Sequence, residues 1–381
     1  MLDQIIRFSI KNKSIVLLGT LGLILLGMFN FRHLPIDALP DITNNQVQII
    51  TSSPSLATQE IEQLITYPLE QSIKTVPRLI ELRSTSKFGL SVITVVFEES
   101  VDIYWARSQI AERLKEAEAN IVPGLGTPVM APVSTGLGEI YQYVLFPKTG
   151  YEDSISLMDL RTAQDWIVKP QLLGIKGVAE VNTLGGHLKE IEVAVHPDKL
   201  KSMNINILQI FEALQKNNEN TGGAYIDKKP NAYFIRGIGM ISTMEDVKKI
   251  VITTHGGVPV LIRDVAEVRL GKAIRYGATT KDGKGEAVNG MVMMLKGENS
   301  AEVIELVKDR VDQIKHTLPE GVAMEAYLDR SKLVNNAITT VKTNLLEGAL
   351  IVIFILVLLI GNWRAGLIVA SVIPLALLFA V

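Results

Sequence analysis

Residues 14–31 carry no charged side chain and are bounded by Lys13 and Arg32. At the helical rise they reach roughly 27 Å, close to the hydrocarbon thickness of a bilayer once flanking residues snorkel. A second apolar run covers 345–361 and a third covers 365–381, where the sequence stops without a polar flank. About 300 mixed residues lie between the first run and the second. The expectation is a membrane protein with a large extramembrane insert. A natural terminus is rarely left inside an apolar run, so an N-terminal fragment is expected.

Hydrophobic residues make up 48 % and charged residues 20 %, averages that blend the apolar runs with an ordinary insert. Residues 33–335 suffice for about two or three domains with their own cores. A net charge of −2 argues against a nucleic-acid partner, which calls for a basic face. The absence of cysteine fits an oxidising compartment but decides little. Arg7, Lys11 and Lys13 precede the first run, and Arg364 lies in the link Asn362-Trp363-Arg364. The positive-inside rule makes both places cytoplasmic and puts the insert on the far side. The first run is read as an uncleaved anchor. It is long for a signal peptide, and Phe31-Arg32-His33-Leu34-Pro35 offers no small-residue cleavage site. Leu2, Ile5, Ile6 and Ile10 suit an interfacial helix over residues 1–13.

The insert repeats itself. Alternation predicts a strand over 45–53, a helix over 57–73 interrupted by Pro68, and a hairpin of 79–87 with 91–97. An amphipathic helix follows over 102–120, with Ile103, Ala106, Ile110, Leu114 and Ala117 on one face, and then a short strand. The same order recurs. A strand over 140–146 precedes a helix over 157–173 interrupted by Pro170. Strands over 178–184 and 287–295, a helix over 301–317 and a strand over 323–328 complete it. The reading is two βαββαβ (ferredoxin-like) units, each a sheet covered by two helices. Residues 185–275 interrupt the second unit. They hold strands near 190–195, 258–262 and 266–270, a helix near 207–216, and a projecting arm over 217–236. Gly185-Gly186 and Gly256-Gly257 are read as hairpin-turn glycines.

Local motifs sharpen the outline. Leu34-Pro35-Ile36-Asp37-Ala38-Leu39-Pro40-Asp41-Ile42, followed by Val47-Gln48-Ile49, resembles the opening of the first porter domain in the resistance–nodulation–division exporters, in their heavy-metal efflux (CusA/CzcA-type) branch. The resemblance continues through Tyr67-Pro68-Leu69-Glu70, Tyr104-Trp105-Ala106-Arg107 and Gly136-Leu137-Gly138-Glu139-Ile140-Tyr141. It persists in Asp165-Trp166, Gly177-Val178-Ala179-Glu180-Val181 and Gly185-Gly186. Arg263-Asp264-Val265-Ala266-Glu267-Val268 and Gly297-Glu298-Asn299-Ser300 also fit. Tyr327-Leu328-Asp329-Arg330-Ser331 stands where the family usually has Tyr-Asp-Arg-Ser. Each motif is weak alone; the ordered series is strong.

The resemblance implies an α+β membrane protein of the bacterial inner membrane, part of a proton-driven homotrimer that exports metal cations. It would work with a periplasmic adaptor and an outer-membrane channel. The implied layout is a transmembrane helix over 14–32 and a first porter subdomain over 37–135. A second porter subdomain follows over 136–184 and 276–330, with a docking subdomain over 185–275 inserted in it. Transmembrane helices over 338–361 and 365–381 complete the chain, and the arm would reach into a neighbouring protomer. The family's proton-carrying acids and its methionine metal site fall in parts absent from this sequence, so a fragment alone is expected to transport nothing.

Individual residues add less. Arg83, on the second strand, is a candidate channel residue, although an exposed strand arginine is usually a solvated face. Asp329, Arg330 and Ser331 are expected to pin the joint between the last strand and the second span, with Ser331 as the helix N-cap. Glu347 is a membrane-boundary acid. The five histidines show no ligand spacing, and Met291, Met293 and Met294 on one strand read as core filler. No metal ligand and no cofactor is assigned. No nucleophile constellation, phosphate loop or zinc spacing is present, so an enzyme is not expected. The rival readings are a drug-exporting pump of the same family and the permease of an ATP-driven exporter. A two-span sensor is a third, excluded by the short link before the third run. Few aromatics (6 %) count against the first and the doubled αβ unit against the second.

Overall fold

The computed structural model describes residues 2–33, 42–119, 121–122, 124–275 and 277–360, and beyond them 363–364, 371–372, 375–376 and 379. Most of the third apolar run and residues 34–41 lie outside the described residues. An amphipathic helix α1 (Leu2–Lys11) leads into α2 (Lys13–His33). Leu17, Leu18, Leu25, Leu26 and Phe29 of α2 are all exposed. A helix apolar on every side and almost wholly exposed is suited to lipid rather than water.

The first module runs β1 (Gln46–Ser52), α3 (Thr58–Ile61), α4 (Tyr67–Ile73), β2 (Leu79–Lys87), β3 (Leu90–Phe97), α5 (Ile103–Glu118) and β4 (Pro128–Met130). Its sheet order is β2-β3-β1-β4. Helices cover one face, and Ile49, Ile93, Val95, Ile110 and Leu114 fill the core between. The second module begins with β5 (Glu139–Pro147), α6 (Leu157–Ala163), α7 (Lys169–Leu173) and β6 (Val178–Gly185).

The chain then leaves for the inserted subdomain: β7 (Lys189–Val195), α8 (Pro197–Ser202), α9 (Ile207–Lys216), β8 (Thr221–Lys228), β9 (Asn231–Gly237), α10 (Met244–Lys248), β10 (Val251–His255), β11 (Val258–Leu261), α11 (Ile262–Val265) and β12 (Ala266–Lys272). β7 pairs with β12, and a small core of its own forms around Ile210, Val247, Ile262 and Val265. The arm is the β8–β9 hairpin, exposed throughout. The chain returns through β13 (Thr279–Thr280), β14 (Glu286–Met294), α12 (Ser300–Lys315) and β15 (Val322–Asp329), and enters α13 (Ser331–Ile360). β6, β14, β5 and β15 lie side by side in that order. The two modules therefore share one topology although about 100 residues interrupt the second.

The interruptions expected at Pro68 and Pro170 are single wide turns, and neither proline ends its helix. Each follows a π turn, Glu62–Thr66 and Gln164–Val168, in which the next amide donates five residues back (Tyr67 to Glu62, Lys169 to Gln164). Proline cannot donate, and its ring crowds the carbonyl four residues earlier; the wide turn relieves both problems. Gly185-Gly186 is not a hairpin turn either. Both residues have positive φ (76° and 69°), and they carry the chain from the second module's sheet into that of the insert. Gly256-Gly257 does turn a hairpin, β10–β11. α13 starts polar and becomes apolar, with Leu346, Leu350, Phe354 and Leu358 exposed. Among the described residues, α2 and α13 are the helices long and apolar enough to cross a bilayer.

Candidate functional site

Along β5, side chains alternate between two faces. Tyr143 and Leu145 point to the helices and lie in the core, whereas Gln142, Val144 and Phe146 point away. On β14 the same division puts Val292 and Met294 in the core and Asn289, Met291 and Met293 on the uncovered face. The core-filler expectation thus holds for Met294 and fails for Met291 and Met293. Register sets their neighbours: Met293 lies between Glu139 and Glu180, and Met291 between Gln142 and Asn182. Gln142 Nε2 donates to Glu139 Oε2 at 3.0 Å, and Asn182 Nδ2 to Glu180 Oε2 at 3.4 Å. The result is a strip of carboxylate, thioether and amide groups, mixed hard and soft donors that no single residue spacing announces.

Further along, a β-bulge lies between Ala326 and Leu328 of β15. Alternation with Glu325 puts Tyr327 on the uncovered face, and the bulge leaves it as the extra residue opposite β5. The Tyr327 hydroxyl donates to Gln142 Oε1 and accepts from Asn289 Nδ2, both at 2.6 Å. Burial raises the Tyr327 pKa, with the Asn289 bond opposing and Glu139 adding to it, so the phenol stays a donor. Asn289 is buried, and its Oδ1 has no hydrogen-bond partner. A buried amide oxygen left open is costly unless something transient satisfies it. Among the described residues no three His, Asp or Glu side chains converge as a closed metal site. The strip offers successive open contacts instead.

The sequence candidates are placed as follows. Arg83 lies on β2 of the other module, 55 % exposed, with Glu81 3.7 Å away and Gln46 Oε1 at 3.5 Å. It does not join the strip. Arg330 is buried; its guanidinium donates to the Leu137 carbonyl and its amide to Ile140 at 3.2 Å. Ser331 is not the cap. The Asp329 carboxylate accepts the Ser331 amide at 2.9 Å and an ion pair from Lys308 at 3.0 Å. Glu347 is exposed on α13, roughly 24 Å along the axis from Ser331.

Burial alone raises the Asp329 pKa, but the bonds from Ser331 and Lys308 outweigh it and hold the carboxyl below its ordinary value. A carboxyl that binds protons less readily when folded stabilises above its unfolded pKa, about 3.9, and loses that contribution as pH falls through the folded value. Asp329→Asn is therefore expected to melt below wild type near neutral pH, with the difference shrinking as pH falls below about 3.9 and lost once Asp329 protonates in the folded state. Thermal unfolding across that range checks it; a gap that persists in acid contradicts the ion-pair account.

Residues 5–381 match the AcrB/AcrD/AcrF family. The chain belongs to that family. Similar members include the cation efflux system protein CzcA of Alcaligenes sp. (strain CT14), 44 % identical over 100 % of this chain and 36 % of that protein. Protein HelA of Legionella pneumophila is 48 % identical over the same shares. The cation efflux system protein CusA of Escherichia coli (strain K12) is 38 % identical, again over 100 % and 36 %. A crystal structure of a heavy metal efflux pump superposes with a TM-score of 0.86 and 35 % identity, covering 98 % of this chain and 37 % of that one. The mixed αβ fold is thus that of the AcrB/AcrD/AcrF pumps, of whose curated relatives the chain spans about a third.

Proposed function

We propose that this chain forms the first membrane-anchored porter portion of a proton-driven exporter of heavy-metal cations in the bacterial inner membrane. In this reading it is not an enzyme. Residues 37–135 and 136–184 with 276–330 are the porter subdomains, on the periplasmic side between spans at 14–32 and 338–361. Residues 185–275 dock toward an outer-membrane channel, and the exporter is a trimer served by a periplasmic adaptor.

The observation that carries the reading is the strip on the uncovered face. A cation shed at the membrane end meets Glu139, Met293 and Glu180, then the amides and phenol beyond. That end is membrane-proximal because Asp329 pairs with Tyr141 just before α13. Carboxylates attract the charge, and thioethers favour soft ions over Mg²⁺ or Ca²⁺. Contacts that are each weak and open let an ion leave as readily as it enters. Two modules of one topology can slide against each other and open or close the cleft beside the strip.

The test is equilibrium dialysis of Zn²⁺ against the full chain in nanodiscs. A triple variant, Glu139→Gln, Glu180→Gln and Met293→Leu, is expected to bind at least about tenfold more weakly. Its melting should match wild type, because the three side chains lie off the core. Unchanged zinc affinity would refute the strip as a cation path.

A further inference from the structure

The turn after β13 lies across the uncovered face. β13 pairs with β14 on the side away from β5, so three inter-strand steps, roughly 14 Å, separate its lane from that of β15. Yet Lys281, the residue after β13, places Nζ 3.0 Å from Glu325 Oε2 on β15. The same ammonium lies 2.6 Å from Asp282 Oδ2 and 4.7 Å from the centroid of the Phe146 ring on β5. The chain can reach so far only by folding back over the sheet. Asp282 and Gly283 supply the bend with φ of 52° and 67°, and the Lys284 amide closes it onto the Lys281 carbonyl at 2.9 Å. Under this strap is a cavity of about 420 Å³, lined among others by Val144, Thr279, Glu325 and Tyr327. It adjoins the Tyr327–Asn289–Gln142 network at the far end of the strip.

We propose that Lys281 is a displaceable latch, a tethered cation that holds the strap over the far end of the strip until a divalent cargo ion takes its place beside Glu325 and Asp282. The inference rests on the transport reading above and makes Lys281 a residue that selects for cargo charge. An ammonium is a compact point charge, and its aromatic neighbour adds a cation–π attraction. Lys281 is 24 % exposed, but Glu325 and Asp282 are 58 % and 64 % exposed, so solvent keeps the pairs weak enough to exchange. A divalent ion at the same distance has twice the Coulomb attraction of the ammonium, whereas a monovalent ion has no such advantage. Cargo would therefore open its own exit, and ions of single charge would leave it shut.

The experiment follows acylation of Lys281 by an amine-reactive ester, by peptide mass spectrometry, on the full chain in nanodiscs. Bound Zn²⁺ is measured by dialysis on the same samples. Zn²⁺ is expected to raise Lys281 acylation about threefold, and Na⁺ at matched ionic strength to leave it unchanged, with Lys216 as the internal reference. Glu325→Gln should label at the raised rate without zinc. Zinc bound with no rise at Lys281, or wild-type labelling in Glu325→Gln, overturns the latch and leaves the cation path standing. No zinc bound at all overturns both.

Discussion

Gly290→Val is expected to lower the melting of the second αβ module on the order of 10 °C while the first module is unaffected. Gly290 of β14 sits directly opposite Tyr143 of β5, and the Tyr143 ring occupies the space a β-carbon would need. That ring is fully buried, and its hydroxyl donates to Gln164 Oε1 at 2.9 Å. Gln164 is itself buried within the π turn. A valine must push the ring aside, an overpacking cost of about 1–3 kcal/mol. The displaced phenol then leaves a buried amide unsatisfied, about 1–3 kcal/mol more. The sum is a large share of the roughly 5–15 kcal/mol that holds a domain folded. The two modules have separate cores, so the damage stays local. Hydrogen exchange separates them, with β5 and β14 amides losing protection and β1 and β3 amides keeping theirs. Melting within about 2 °C of wild type would mean that Tyr143 moves freely, contrary to its packing.

Arg330→Met should loosen the joint between modules and membrane. Arg330 ties together the start of β5, the end of β15, the first turn of α13 and, through Leu137, the irregular connection between the modules. Methionine keeps much of the length and apolar contact, so the loss isolates the charge-assisted bonds, about 1.5–3 kcal/mol. Local opening of residues 131–138 is then expected to rise at least about tenfold. Limited proteolysis mapped by mass spectrometry would find new cleavage there, with both cores intact. Arg330→Lys should restore only part, because an ammonium cannot reproduce the guanidinium fork. If export proceeds as proposed, the variant also exports less at equal abundance, since module motion must pass through this joint. A cleavage pattern identical to wild type would remove Arg330 from that role.

Most of the secondary structure was legible because its cause is local. Ile103, Ala106, Ile110, Leu114 and Ala117 recur at the helical period, and Ala106, Ile110, Leu114 and Ala117 are buried on α5. Asn299, inside one of the quoted motifs, caps α12 by accepting the Ala301 and Glu302 amides. The π turns were illegible because proline announces a broken helix and not the wider turn that avoids the break. Alternation makes Ile262 the end of a strand, but Asp264 accepts the Leu261 amide at 2.8 Å and caps a single helical turn, α11, that begins there instead.

The candidate site was less legible. Alternation alone puts Met291 and Met293 on one side of a strand. It does not say which side the helices cover, and that decides between core filler and a half-buried thioether on the helix-free face. Glu139, Glu180 and Met293 lie far apart in sequence and meet only through strand register. The strap is likewise invisible, since it depends on β13 and β15 belonging to one sheet.

By itself, the order of residues determined the apolar spans, the repeated strand-and-helix series, and through its motifs the family, because each depends on neighbours a few positions away. Tertiary structure decided which face of the second sheet stays bare, which donors line it, and which lysine lies across it. Those depend on pairings across the interrupting subdomain, where the free energy is set by the whole sheet and not by any short stretch of chain.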